Sequence, residues 1–250
     1  MNACCIGKGY VGKSTALAFG IEKFFTRHEA NITLEEANEC KYIFICLPTP
    51  TIDGKCFVDD ILALLKQLSS FPRHVDNLYI IRSTVYPGFA NRVQLELGIN
   101  NIVSNPEFLS ESTWEKDAKQ PQLVVIGANE VKPREDLKAL YMGRFKYMKP
   151  LMTDSITAEL IKYVMNTWFA TKTIYFNEIF DFANKIGANY EDIKLAVENH
   201  PWGAKNHTTI VYKGRRGVHG SCLPKDLYAL SEMSGSEFLK MLIRLNSKYE

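Results

Sequence analysis

A cysteine inside a glycine-rich loop is the residue of this chain with the clearest chemical promise. The run Gly214-Arg215-Arg216-Gly217-Val218-His219-Gly220-Ser221-Cys222-Leu223-Pro224-Lys225-Asp226 sets glycines ahead of Cys222 and a lysine and a carboxylate just behind it. Backbone without side chains lets a substrate approach closely, and nearby positive charge makes a thiolate available as a nucleophile. A lone cysteine is more often an inert buried hydrophobe. The flanking loop favours catalysis here.

A second polar set lies on one helical pattern. Ser155, Glu159, Lys162, Asn166, Thr173 and Asn177 recur in steps of three, four or seven and share one face. That face is either a solvated stripe beside a dimer seam or the wall of a site holding Lys162 and Asn166. The second case demands partners, because an unpaired buried ammonium is costly.

The third set is Gly7-Lys8-Gly9-Tyr10-Val11-Gly12, which follows the apolar run Ala3-Cys4-Cys5-Ile6 and precedes a helical pattern. Strand, glycine loop and helix in that order are the context of the dinucleotide fingerprint. Gly7 would make the tight turn, Gly9 would let the backbone approach a diphosphate, and Gly12 would bring helix and strand together. Glycines that only shape a tight turn are the alternative. Roughly 20 residues further on, where a carboxylate should grip the adenosine ribose, stand Phe25-Thr26-Arg27-His28-Glu29. Glu29 can take that role, whereas Arg27 would favour a 2′-phosphate.

These groups need a scaffold, and the first half of the chain supplies alternating short apolar runs and longer helical patterns, the signature of βα units around a mostly parallel sheet. Residues 2–6, 42–47, 78–82, 101–104 and 122–127 read as strands, with a weak strand over 23–27. Residues 14–23, 58–68, 88–97 and 133–142 read as helices, with Asp53-Gly54 and Pro87-Gly88 marking turns. A long helix is predicted to begin behind Thr153 or Asp154, to run to Lys185 and to stop at Gly187. Its stretch from Tyr163 to Asn177 carries Lys172 as its one charge, so it must be buried or paired with a second copy. A last helix is expected over 234–245. The division predicted is a dinucleotide-binding domain over 1–150 and a helical domain over 151–250 that carries the cysteine loop.

Composition narrows the partners. The chain has 250 residues, 46% hydrophobic and 23% charged, and 30 Lys plus Arg against 28 Asp plus Glu leave a formal charge of +2. That balance, with no long basic run, gives no footprint for nucleic acid. No apolar stretch approaches the ~20 residues of a membrane span, and Met1-Asn2-Ala3-Cys4-Cys5 lacks a signal-peptide pattern, so a cytoplasmic protein is expected. The six cysteines lack paired metal-ligand spacing; free thiols and no metal site are expected.

Together and in this order, GKGYVG (7–12), IFICLPTP (43–50), STVYPG (83–88), SNPEFLSES (104–112), AELIKYVMNTWFA (158–170) and GVHGSCLPKD (217–226) resemble the UDP-glucose/GDP-mannose dehydrogenase family. The resemblance implies a Rossmann-type doubly wound parallel sheet, a helical dimerisation domain with a long central helix, and a homodimer. It also implies NAD-dependent, four-electron oxidation of a nucleotide-sugar primary alcohol to the carboxylate. By resemblance, Cys222 is the nucleophile that attacks the intermediate aldehyde and Glu107 the base that assists the water and proton steps. Lys162 and Asn166 stabilise the oxyanion, and Asp226 and Thr84 hold the water and proton network. NAD contacts fall to Gly7, Gly9, Tyr10, Val11, Gly12, Leu47, Pro48, Thr49, Ser83, Thr84 and Glu29. Substrate contacts fall to Phe108, Leu109, Lys162, Asn166, Gly217 and Gly220.

Three departures accompany the resemblance. The family's third, C-terminal domain, which supplies much of the nucleotide-sugar pocket, has no counterpart in the sequence after Asp226, so weak sugar-nucleotide affinity is expected. The segment 23–33 is short and lacks the ribose-binding Asp. Phe89 and Gln122 replace the Thr and Arg usual near those positions. A weak or inactive dinucleotide- or sugar-nucleotide-binding protein that keeps the fold is the main alternative. A two-electron β-hydroxyacid-type dehydrogenase is the other, and it leaves the cysteine loop unexplained.

Overall fold

The computed structural model describes residues 1–72 and 77–249. Two compact units emerge, one of Met1–Thr49 and Phe57–Lys162, the other of Pro50–Cys56 and Tyr163–Glu250.

The first unit begins with β1 (Ala3–Ile6), α1 (Tyr10–Phe19), β2 (Phe24–Phe25), α2 (Leu34–Asn38) and β3 (Tyr42–Ile45). The hairpin β4 (Thr51–Ile52) and β5 (Lys55–Cys56) then leaves for the second unit. The first unit resumes with α3 (Asp59–Ser70), β6 (Leu78–Ile81), α4 (Phe89–Leu97), β7 (Ile102–Ser104), α5 (Trp114–Lys119), β8 (Val125–Gly127), α6 (Val131–Arg144) and β9 (Leu151–Thr153). Its sheet has the order β2-β1-β3-β6-β7-β8-β9. Every pairing is parallel except that of β7 with β8, where Ser104 faces Gly127. The order reverses direction at β1 and β3, the crevice where open α/β sheets bind ligands. This is the α/β architecture expected, with one antiparallel pair inside it.

Strand alternation builds the core. Cys5, Phe44, Cys46, Ile80, Val103 and Ile126 pack with Phe19 of α1 and with Leu137 and Tyr141 of α6. Phe19 stacks on Phe44 at 5.3 Å and meets Tyr141 edge-on. The alternate residues Cys4, Ile43, Ile45 and Ile81 are equally buried on the other face.

Several elements differ from the expectation. Helix α1 begins at Tyr10, not Ser14, so Tyr10, Val11 and Gly12 lie in its first turn. It ends at Gly20, whose φ of 66° closes it before residue 23. Helix α2 was not foreseen, although Thr33 and Glu36 form a complete capping box: the Thr33 hydroxyl accepts from Glu36 N–H and the Glu36 carboxylate accepts from Thr33 N–H.

Helix α7 (Ser155–Ile186) runs from the first unit into the second. Asp154 starts it by accepting from the Thr157 N–H at 2.9 Å, and Gly187, with φ of 74°, ends it as predicted. The second unit adds α8 (Tyr190–Asn199), α9 (Leu223–Ser234) and α10 (Glu237–Asn246), the last shorter at its start than the 234–245 expected. Ala170, Ile174, Val218, Leu227, Leu239 and Leu242 form one core there. Phe176, Ala183, Tyr190 and Ile210 form another. All six cysteines are free thiols, and Cys222 is exposed.

Candidate functional site

The glycine loop has the geometry of a phosphate cradle. Gly7 has φ of 101°, and a Cβ there would collide with the Cys46 carbonyl; one at Gly12 would collide with the Gly7 carbonyl. Gly9 caps α1 with open space beside it. The helix therefore starts hard against β1 with its free N–H groups uncovered, which suits a diphosphate.

Around this loop, the structure sorts the proposed cofactor residues. Tyr10 is exposed, and Val11 packs partly into the core. The Ser83 hydroxyl donates to the Leu47 carbonyl at 2.7 Å, binding the end of β6 to the loop after β3, in which Pro48 is exposed and Thr49 buried. Glu29 is exposed and paired with Lys8 at 2.9 Å, and that ammonium holds its carboxyl below the usual range. Arg27 pairs with Asp60 at 3.3 Å. Arg27 and Glu29 are thus each engaged with a neighbour.

At the C-terminal ends of β6 and β7 lies a small pocket lined by Ser83, Thr84, Ser104, Pro106, Glu159 and Lys162, among others. The pocket is of a size to hold a single water molecule. Lys162 Nζ donates to Glu107 Oε1 at 2.8 Å and to the Glu107 carbonyl at 2.7 Å, and lies 5.6 Å from the Phe108 ring centre. The Leu109 N–H donates to Glu107 Oε2 at 2.7 Å. Burial alone would raise the Glu107 carboxyl. The Lys162 ammonium and the Leu109 amide outweigh it and hold the group below its usual range. Glu107 is therefore held as a half-buried carboxylate paired with Lys162.

The polar line on α7 faces inward. Ser155, Glu159, Lys162, Asn166 and Asn177 are buried, which rules out the solvated stripe for these residues. Glu159 was not singled out as a site residue, yet it is 2% exposed and accepts four hydrogen bonds in the first unit. Its position one turn before Lys162 on the same face was the available signal. In contrast, Ile156, Leu160, Val164, Trp168, Tyr175, Phe182 and Ile186 of the helix are exposed. The helix thus buries a polar line beside core residues such as Ala170 and Ile174, and leaves a second, apolar stripe outside.

In the second unit, Cys222 is the N-cap residue of α9, with Pro224 in the first turn. Its Sγ lies 3.6 Å from the Ser221 hydroxyl. Four residues on, the Asp226 carboxyl accepts from the Asn166 amide at 2.6 Å and pairs with Lys225. The glycines before the cysteine have separate tasks. Gly217, with φ of 70°, lies so close to Asn246 and Tyr249 that a Cβ would clash, whereas Gly220, with φ of 91°, opens onto free space. Asn246 clasps the Val218 backbone, accepting from its N–H at 2.6 Å and donating to its carbonyl at 3.0 Å. Arg216 lies between the Phe180 and Tyr249 rings and pairs with Asp181 at 2.6 Å. The loop is pinned on both sides and bare beside the thiol.

Of the two departures read at single positions, Phe89 is fully buried with its ring edge-on to Tyr86, a packing residue rather than a surface one. Gln122 is exposed and donates to the Gln120 carbonyl. Among the described residues, no group of His, Cys, Asp and Glu could hold a metal ion, and no helix is long and apolar enough to cross a membrane.

A parallel sheet that reverses at a glycine loop, with that loop shaped by close backbone contacts, defines a dinucleotide-binding α/β protein. Comparison with known proteins refines the class. The NAD binding domain of the UDP-glucose/GDP-mannose dehydrogenase family matches residues 21–144, and the central domain of the same family matches residues 156–247. The chain belongs to the UDP-glucose/GDP-mannose dehydrogenase family. A UDP-glucose 6-dehydrogenase of Rickettsia prowazekii is 32% identical over 229 residues, 86% of this chain and 51% of that protein. A GDP-mannose 6-dehydrogenase of Azotobacter vinelandii is 30% identical over 88% of this chain and 52% of its own length. A UDP-glucose dehydrogenase structure from Pyrobaculum islandicum superposes with a TM-score of 0.83 at 25% identity, over 98% of this chain and 68% of that one. The chain thus spans about half the length of the curated relatives it matches.

Proposed function

We propose that the chain carries out NAD-dependent oxidation of a nucleotide-sugar primary alcohol to the carboxylate, in two hydride-removing steps. The observation that carries this reading is the Lys162–Glu107 pair, an ammonium and a carboxylate 2.8 Å apart at the strand ends of a dinucleotide fold. NAD fits the cradle, since Gly7 and Gly12 allow a close turn where a Cβ would strike backbone and the space beside Gly9 is open; Gly7, Gly9 and the α1 amides would hold its diphosphate, with Glu29 toward a ribose hydroxyl. When bound, it supplies the acceptor for each hydride.

The chain's own groups do the rest. In the first oxidation the alcohol loses a proton to a base and a hydride from carbon, giving the aldehyde. The Cys222 sulfur then adds to the aldehyde carbon, and the new oxyanion takes a proton to form a thiohemiacetal. Loss of the second hydride and the hydroxyl proton leaves a thioester. Water, deprotonated by Glu107, attacks that carbonyl and releases the acid and the thiol. The Lys162 ammonium and Asn166 amide stabilise negative oxygen during addition and hydrolysis. Thr84, on the pocket wall, and Asp226, through Asn166, order the proton network. Phe108 and Leu109 in the first unit, and Gly217 and Gly220 in the second, are the proposed sugar contacts, with Gly220 leaving room beside the thiol.

We also propose a homodimer seated on α7. Its outward stripe from Ile156 to Ile186 offers large apolar side chains to solvent, with Trp168 54% and Phe182 57% exposed. Light scattering should give twice the chain mass at micromolar concentration, and a stable monomer would count against the pairing. The reaction is tested by NADH production across a panel of nucleotide sugars, with the product assayed for a carboxylate. No NADH with any of them would reject it.

A further inference from the structure

Helix α4 begins without a cap of its own. Its N-cap residue is Gly88, with φ of 97° and no side chain to satisfy the free N–H groups of the first turn. Glu159, about 70 residues away on α7, takes that place. Its Oε2 accepts from the Gly88 N–H at 2.6 Å and the Phe89 N–H at 3.2 Å, and its Oε1 from the Ala90 N–H at 3.0 Å. Oε1 also accepts from the Ser104 hydroxyl at 2.7 Å.

The second rung of contact lies three residues along each segment. Ser104 meets Glu159, and Glu107 meets Lys162; both pairs are 55 residues apart in the chain. Three residues on a helix is nearly one turn, so the two α7 side chains project from the same face onto one stretch of chain. Gly88 also closes the Ser83-to-Gly88 loop that carries Thr84, and Thr84, Ser104, Glu159 and Lys162 line the same pocket. A local Ser or Asp could have capped α4 more cheaply. The cap comes instead from the helix that bears the ammonium.

We propose that Glu159 is a positioning residue for the reaction: by gripping the start of α4 and the Ser104 hydroxyl, it fixes the rotation and height of α7 so that Lys162 reaches Glu107 and the pocket wall. This rests on the role given to Lys162 above. Burial makes the grip costly and pushes the Glu159 carboxyl up to about 7, yet four donors and a helix N-terminus favour the anion. Such a cost is expected where a buried charge has a geometric task.

The test is Glu159→Gln, which keeps the shape but must turn an NH₂ group toward amide donors. A displacement near 1 Å at a reacting group can cost on the order of 100-fold, so kcat should fall ~10- to 100-fold. The KM for NAD and the NAD-binding stoichiometry should stay at wild-type values, which a loss of folded protein would not allow. Independently of turnover, labelling with an amine-specific reagent mapped by mass spectrometry should modify Lys162 several-fold faster in the variant, with Lys185 unchanged as the exposed control. Should Glu159→Gln fail to fold, Ser104→Ala removes one of the four donors and should shift both readouts the same way, by less. Unchanged kcat or unchanged Lys162 labelling overturns the proposal while leaving the reaction intact. If the wild type oxidises no nucleotide sugar, the reaction is what fails, and the labelling alone decides whether Glu159 positions Lys162.

Discussion

Asn166 and Asp226 meet inside the second unit, where the amide donates to the carboxyl at 2.6 Å across 60 residues of chain and both side chains are buried. The bond joins α7 to the first turn of α9, whose N-cap is Cys222. Asn166→Ala would leave a buried acceptor short of its donor. Urea unfolding should show a loss of about 2 kcal/mol, the cost of stranding a buried, charge-assisted partner. A loss within ~0.5 kcal/mol, as for an ordinary surface change, would mean that the bond does not hold these helices together.

The Lys162–Glu107 pair allows stability and chemistry to be separated. Lys162→Met strands a largely desolvated carboxylate and should cost about 3 kcal/mol, and kcat should drop ~10²-fold if Lys162 is the oxyanion donor proposed. Adding Glu107→Gln removes the stranded charge, so the double variant should recover most of its stability and none of its turnover. Recovery of both would make the pair structural only.

Glu159 gives stability a definite pH dependence. Its carboxyl is raised from an ordinary value of 4.5 to about 7. Between those values the folded protein holds a proton that the unfolded chain has released, so this contribution is full below 4.5 and is lost as pH rises through 7. The wild-type Tm, corrected for other groups by comparison with Glu159→Gln, should fall over that window. Parallel Tm profiles for the two proteins would exclude the effect.

Much of this arrangement was legible locally. The glycine loop, the parallel α/β pattern, the stop at Gly187 and the shared face of Lys162 and Asn166 all follow from residue type and spacing. What was hidden depends on distant chain. The hairpin after Pro50 belongs to the second unit, tied there by the Thr51 hydroxyl bonding the Lys225 carbonyl, 174 residues on. No local pattern encodes that pairing. Glu159 sat in plain view on the polar face, but its partners are backbone N–H groups of α4, which carry no sequence signature. Helix α2 is a different kind of miss, since Thr33 and Glu36 announced it through their capping spacing.

Cofactor choice should follow the engaged charges near the ribose position. With Arg27 held by Asp60 and Glu29 beside Lys8, NAD should be preferred over NADP, though only moderately. Glu29→Ala should raise the KM for NAD and narrow the preference. A higher kcat/KM with NADP in the wild type would remove Glu29 from the ribose.

The covalent step at Cys222 is the centre of the account, and the ratio of NADH formed to nucleotide sugar consumed tests it most directly. The wild type should release two NADH for each sugar converted to its acid. Cys222→Ala should still bind NAD but form no acid, because the donor of the second hydride is the thiohemiacetal. A Cys222→Ala protein that makes the acid with two NADH at near wild-type rate would contradict the mechanism.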